Sequence, residues 1–437
     1  MIILCKILII IVLTGILKIA GRESFIILFN LFIMLFISGC NERKEFDYRR
    51  IDLKTGFTEK GYFLLTDVAE DIEYVFLETK DSSLMADIHK LLYDPPYYFI
   101  KDYRGNSIFI FDETGKYTNT ISALGQGPQE YICIDDFAAH NNLLYILDRD
   151  QKRILKYGID GKCIGVFKIN EYATGIKVNN ENEILIAIGN HDLITFEGGI
   201  IPEKFDATVK YQREGFVFLE YDRDFNLKRK FKKMKYSGNE INTSSFSFYK
   251  HRDTLVYWEY NIFDTVYSIL SNGETESRFI LDPGNIPSSL VRKREDIGKV
   301  FPGQFDLGRI VETDDYLFMY GSYNRYAAQL LYNKKDNKIQ GIEEAFMNDI
   351  DGGISFWPSW KVSDNKVGTS FFPDKIKKYI GRELADIKKG NDFYDTYRPK
   401  INYNLEKHKR LLEQLEKTDD MSNPVLMIVT MKSSINH

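Results

Sequence analysis

Residues able to do chemistry are thinly spread through this chain, and their spacing limits what they could do. The six histidines, His89, His140, His191, His251, His408 and His437, never fall three or four residues apart, so none forms the paired ligands that zinc motifs place on one helix face. Only ligands gathered from distant segments could make a metal site, with His89 and His140 as its first members. "DRDFN" at 222–226 starts like a calcium loop, but Leu227 stands where glycine is needed and Lys233 where the bidentate glutamate belongs, which makes it a turn. "DIDGG" at 349–353 has Trp360 in place of the distal acid and reads the same way. The adjacent acids Asp135-Asp136, Asp314-Asp315 and Glu343-Glu344 would point to opposite faces of a strand or sit in turns, and no G-x-S-x-G elbow occurs. No catalytic residues, no metal site and no cofactor follow from these patterns.

Two stretches are better suited to binding than to catalysis. "GQGPQEY" at 125–131 has two glycines but lacks the third of a dinucleotide fingerprint, where Glu130 would put a carboxylate in the anion's place. It reads as a turn, in which Gln126 and Gln129 could contact a ligand. "FWPSW" at 356–360 could offer Trp357 and Trp360 as a flat platform for a sugar, with packing as the preferred alternative.

The first 39 residues differ in kind from the rest. Two apolar runs, Ile7 to Leu17 and Phe25 to Ile37, are interrupted by Arg22 and Glu23, and each is shorter than a spanning helix needs. They end at Ile37-Ser38-Gly39-Cys40, which resembles a bacterial lipobox: small residues admit a signal peptidase, and Cys40 becomes a lipidated N-terminus anchored in a membrane. The expected division is a signal peptide over 1–39, a tether and first strand over 40–60, and one large domain over 61–437. Without residues 1–39 the chain has 55 basic and 62 acidic residues, a net charge of −7, which argues against a nucleic-acid partner. The basic run "KRKFKKMK" at 228–235 reads as a solvated hairpin face, and Cys133 and Cys163 as buried free thiols.

What positions these residues is a repeat. "YFIKDYRGNSIFIFDETGKYTNTI" at 98–121 aligns with "LYILDRDQKRILKYGIDGKCIGVF" at 144–167 at an offset of 46 without a gap, pairing Asp102 with Asp148, Gly115 with Gly161 and Lys116 with Lys162. Each unit reads strand, turn, strand, tight turn, strand, with glycine supplying the left-handed turn residue. Weaker copies lie at 217–231, 264–274 and 329–338, and 353–372 makes a last unit, so six units fit between about 85 and 375. Near 374–418, two apolar stripes at helical spacing (Ile376, Tyr379, Ile380, Leu384, Ile387, then Leu405, Leu411, Leu412, Leu415) predict helices, the first capped by Asp374 and stopped by Gly390.

The repeats resemble NHL-type propeller blades. "GQGPQEY" is similar to the G-x-G-P-x-E-Y segment of exported six-bladed β-propeller lipoproteins of unknown function, through Gly125, Gly127, Pro128, Glu130 and Tyr131. The resemblance implies an all-β, six-bladed β-propeller of four-stranded antiparallel blades, carrying C-terminal helices. The strand Val425 to Met431 would close its ring against 72–79. No family reaction comes with it. The expected function is a membrane-anchored binding or scaffold lipoprotein of the cell envelope, recognising a glycan, peptide or protein through a propeller face. The alternative is a lyase or hydrolase with its site in the central channel.

Overall fold

A computed structural model describes residues 49–171, 173–179, 183–188, 211–238, 246–259, 265–282, 284, 305–324, 326–389, 402–419 and 421–433. Cys40 and its lipobox, His191, His437 and Gly390 lie outside the described residues, as do the side chains of Leu384 and Ile387. Six antiparallel sheets follow one another along the chain as blades 1 to 6, and each is laid down from the axis outward. The innermost strands, in order, are Ile88–Asp94, Asp136–His140, Gly175–Val178, Phe246–His251, Phe305–Glu312 and Trp360–Lys361. They meet one another around the channel.

The 46-residue offset is the repeat of blades 1 and 2, and its shared residues do the same work in both. Asp102 Oδ1 accepts the backbone N–H groups of Ala86 and Asp87; Asp148 Oδ2 accepts that of Ile132, one repeat beyond Ala86. Each buried carboxylate thus fixes the loop that enters its own blade, since a buried acceptor must find donors. Gly115 and Gly161 adopt φ of 85° and 82° at the outer hairpin turns. Gly273, Phe225 and Asn337 hold positive φ at the matching turns of other blades.

The ring closes as the sequence predicts. Val425–Met431 pairs with Ala69–Phe76, so blade 6 takes three strands from the C-terminal part of the chain and its outermost from the N-terminal part. The run "VLMIV" is apolar throughout because both faces of this strand are covered. Met427 and Val429 pack toward blade 5, Leu426 and Ile428 toward blade 1. At about 1.5–3 kcal/mol for each such buried side chain, this one strand contributes as much as the net stability of many domains.

Residues 49–61 run round the outside of the ring. Arg49–Asp52 adds a fifth, parallel strand to blade 4, and Lys60–Gly61 does the same for blade 5. The short helix between them, α1 (Leu53–Thr58), is capped by Asp52 and buries Leu53 and Phe57 between those blades.

The C-terminal helices α2 (Pro373–Lys389) and α3 (Leu405–Glu416) are inserted between the second and third strands of blade 6. Ile376, Ile380, Leu411 and Leu415 form their contact with Val425. Two expectations change here. Pro373, which needs no N–H partner, opens α2, so Asp374 lies inside the first turn and pairs with Lys378 rather than capping. Leu405, the first residue of α3, is exposed, and Asn404 caps that helix through the N–H groups of Glu406 and Lys407.

Candidate functional site

Residues one repeat apart sit at the same height on neighbouring inner strands, and so meet around the channel. Lys90 of blade 1 and Asp136 of blade 2 are 46 positions apart and form an ion pair. Asp94 and His140, also 46 apart, approach to 4.0 Å at the far ends of the same strands. This rule builds two layers of charged side chains, a near one where the inner strands begin and a far one where they end.

In the near layer Asp136 is shared. One carboxylate oxygen takes Lys90 Nζ; the other accepts the N–H of Ile176 at 2.9 Å and lies 4.0 Å from Lys177 Nζ of blade 3. Burial pushes the Asp136 carboxyl up, but the two lysines outweigh that and hold it below its ordinary range. Lys177 reaches across to blade 4, where its ammonium lies 5.5 Å from the Phe248 ring centroid. Burial, and after it the charge of Lys90, lowers its pKa to about 8. Two β-bulges shape this end: His89 is the extra residue between Ile88 and Lys90, and Gly308 the extra residue before Arg309. Burial lowers the pKa of His89, followed by the charges of Lys101, Lys90 and Arg309. Arg309 belongs to blade 5 and His89 to blade 1, so that influence crosses the channel.

The far layer is a network joining blades 4, 5 and 6. Glu312, fully buried, receives Lys334 Nζ at 2.6 Å, Arg278 at 2.7 and 3.1 Å, and the Tyr249 hydroxyl at 2.8 Å. Burial alone would raise its pKa; Lys334 and Arg278 hold it far below the carboxylate range. His251 shares a 2.9 Å hydrogen bond through Nδ1 with Lys361 Nζ, and its Nε2 lies 3.7 Å from Asp314. Asp314 is paired with Arg252 and Asp364 with Lys361. Burial lowers the His251 pKa to about 4.

The site residues expected from sequence fall elsewhere. Gln126 and Gln129 are exposed on the loop joining the outer strand of blade 1 to the inner strand of blade 2. That loop is pinned from below: Tyr157 donates to the Gln129 carbonyl at 2.6 Å and Arg153 to the carbonyls of Gly127 and Glu130. Glu130 folds back to accept the Gly127 N–H at 2.8 Å, so the turn holds its own anion. Neither Gly125 nor Gly127 has positive φ; a side chain there would collide with the Glu130 carboxylate, which a Cβ would meet at 2.0 and 2.9 Å. Trp357 stacks on Phe346 at 5.8 Å in the core between blades 5 and 6, whereas Trp360 packs in the core between blades 6 and 1. The two rings lie on opposite faces of blade 6 and do not form one platform. His89 and His140 sit at opposite ends of the channel, and among the described residues no three His, Cys, Asp or Glu side chains are placed to hold a metal ion.

Other readings hold in detail. Asp222 accepts the N–H groups of Asp224 and Asn226, making "DRDFN" a turn. The basic run is paired with acids through Lys228, Arg229 and Lys230. Cys133 and Cys163 are free but only half-buried. Lys90, Lys177, Arg309 and His251 were not singled out by sequence, although extending the 46-residue alignment upstream would have placed Lys90 beside Asp136.

Among the described residues, no helix is long and apolar enough to cross a membrane. The chain superposes on a protein of Bacteroides fragilis described as exported, with a TM-score of 0.63 at 15% identity, covering 88% of this chain and 100% of that one. Weaker likenesses are to a member of the DUF4221 family from Bacteroides vulgatus (TM-score 0.45, 11% identity, 84% and 97% covered) and to virginiamycin B lyase from Staphylococcus aureus (TM-score 0.35, 12% identity, 68% and 84% covered). No curated protein matches the chain in sequence. Residues 48–430 match the model of a domain of unknown function, DUF4934. That span takes in all six blades, the outer strands and the inserted helices, and the chain belongs to the DUF4934 family.

Proposed function

We propose that this chain is an exported lipoprotein, anchored to a bacterial membrane through Cys40, that binds a glycan, peptide or protein partner with the propeller face on which the near layer opens. One observation carries the reading: polar and charged side chains from separate blades converge on the channel at that end. The inter-blade loop with Gln126 and Gln129 borders the same face, because such loops lead into the inner strands. Surface loops on a rigid scaffold are the usual place for recognition. Export agrees with the lipobox and with the exported neighbour in Bacteroides fragilis.

An enzyme would need a base poised near the working pH. His251 is a poor one, since its pKa lies near 4 and its Nδ1 is engaged by Lys361; Lys177, lowered to about 8, comes nearest that range and lies beside the Asp136 carboxylate. The carboxylates around His251 are matched by cations of the protein itself.

The test has two arms. Cys40→Ser should move the protein from the membrane to the soluble fraction and abolish fatty-acid labelling; undiminished labelling would refute the anchor. Crosslinking in intact cells should capture a partner with the lipidated protein, and charge reversal of the near layer (Lys177→Glu with Arg309→Glu) should lose it. Capture that survives this change would place recognition elsewhere.

A further inference from the structure

We propose that the near layer is an anion site, in which Lys90, Lys101, Lys177 and Arg309 take a small ligand carrying at least two oxyanion groups. This deepens the binding reading above and rests on it. The first observation is a pairing that sheets normally avoid. Lys90 and Lys101 stand directly opposite each other on neighbouring strands of blade 1, where like charges destabilise. Lys101 is held in place by donating to the Ile134 carbonyl at 2.5 Å, and among the described residues it forms no ion pair, Asp135 and Asp136 acting on it only from a distance.

The second observation is a shortage of counter-charge. Among the described residues Asp136 is the carboxylate between Lys90 and Lys177, whose side chains are only 24% and 18% exposed. Its neighbour Asp135 is paired with Arg149. On its other side Lys177 meets the Phe248 ring and a carbonyl, that of Ile176 at 3.1 Å. A ring and a carbonyl stabilise an ammonium but do not neutralise it.

Arg309 supplies the third. It is exposed, re-aimed by the Gly308 bulge, and its side chain makes no hydrogen bond or ion pair among the described residues. Its charge reaches His89 across the ring. An acidic chain has therefore gathered cations from blades 1, 3 and 5 about one axis, and among the described residues Asp136 is the carboxylate that pairs with them. Partly desolvated ammonium and guanidinium groups make strong charge-assisted hydrogen bonds to oxyanions, and blades spaced around a ring favour a ligand that can answer more than one of them.

The experiment is calorimetric titration of the full chain, in detergent at fixed ionic strength, with citrate and with pyrophosphate, and with acetate as the monovalent comparison. Citrate or pyrophosphate should bind saturably at one site, and acetate should not. Lys177→Gln and Arg309→Gln should each weaken binding by about tenfold, the scale of one lost charge-assisted contact. Arg309 is exposed, so its variant keeps the fold, which a thermal melt verifies. Lys162→Gln removes an equal charge from an exposed outer turn, where the side chain is 84% exposed, and should change nothing. Absence of saturable binding by both polyanions overturns the proposal, as does a Lys162→Gln loss equal to that of Lys177→Gln, which would mean general electrostatic attraction. If the polyanions fail while crosslinking still captures a partner sensitive to near-layer charge reversal, the ligand class is wrong and the binding reading stands.

Discussion

At the far end of the inner strands Glu312 is enclosed by Lys334, Arg278 and the Tyr249 hydroxyl, whereas at the near end, among the described residues, Asp136 is the carboxylate that answers Lys90 and Lys177. Both layers are buried charge drawn from several blades. The far one sets Glu312, Asp314 and Asp364 against Lys334, Arg278, Arg252 and Lys361 and ties blades 4, 5 and 6 together; the near one, among the described residues, gives Lys90 and Lys177 one shared carboxylate and Arg309 no ion pair. A matched network resists the loss of any member, because the partner left behind is stranded in a low-dielectric place. An unmatched one can lose a cation with little harm to the fold, and gains from an anion that arrives from outside.

That difference is open to measurement, most severely at Glu312. Glu312→Ala leaves Lys334 and Arg278 buried without their anion and should cost about 3–5 kcal/mol in urea denaturation. A loss below about 1 kcal/mol would mean that apolar contacts alone hold these blades. Acid tests the same layer at His251. Its folded pKa is about 4, while an unfolded histidine titrates near 6.5. Between those values the unfolded chain binds the extra proton, so stability should fall as pH is lowered from about 6.5 to about 4. His251→Gln should flatten that part of the curve, and an unchanged slope would assign the effect to other groups. Glu312, with its depressed pKa, keeps its contribution above the unfolded carboxylate range and loses it only at lower pH.

In the near layer the expected effects on stability are smaller. Lys177→Met leaves Asp136 its bond to Lys90 and should alter stability by less than about 1 kcal/mol, with a rise as the favoured direction. A melting temperature lowered as far as that of Glu312→Ala would erase the distinction between the layers. Smallest of all is Gln129→Ala, an exposed change expected to stay within about 0.5 kcal/mol. Gly127→Val nearby should cost more, since its Cβ would meet the Glu130 carboxylate at 2.9 Å. Equal melts for the two would show that the loop yields freely.

The propeller was legible because its signals are local and repeated: Gly115 and Gly161 need left-handed turns, Asp102 and Asp148 cap equivalent loops, and the doubly buried "VLMIV" has no polar face. The channel was not legible in the same way. Lys90, Lys177 and Arg309 are far apart in sequence and come together only through ring closure, so their spacing mimics no known motif. Trp357 and Trp360 pack, the reading preferred for them, and three residues of separation carry their rings to the cores on opposite faces of one blade. Gly127 is required by the space Glu130 occupies, not by a left-handed φ.

The outer belt and latch have a consequence for the order in which the molecule can form. Arg49–Asp52, Lys60–Gly61 and Ala69–Phe76 are made first, yet their partners Thr275–Asp282, Lys338–Ile342 and Val425–Met431 come about 230 to 360 residues later. Contacts of such separation form slowly, because a long loop must close before it is rewarded. A chain threaded through a membrane N-terminus first would carry three waiting strands across and complete its ring only after its last strand had followed. For an exported chain, as proposed above, the closing step would thereby be deferred to the far side.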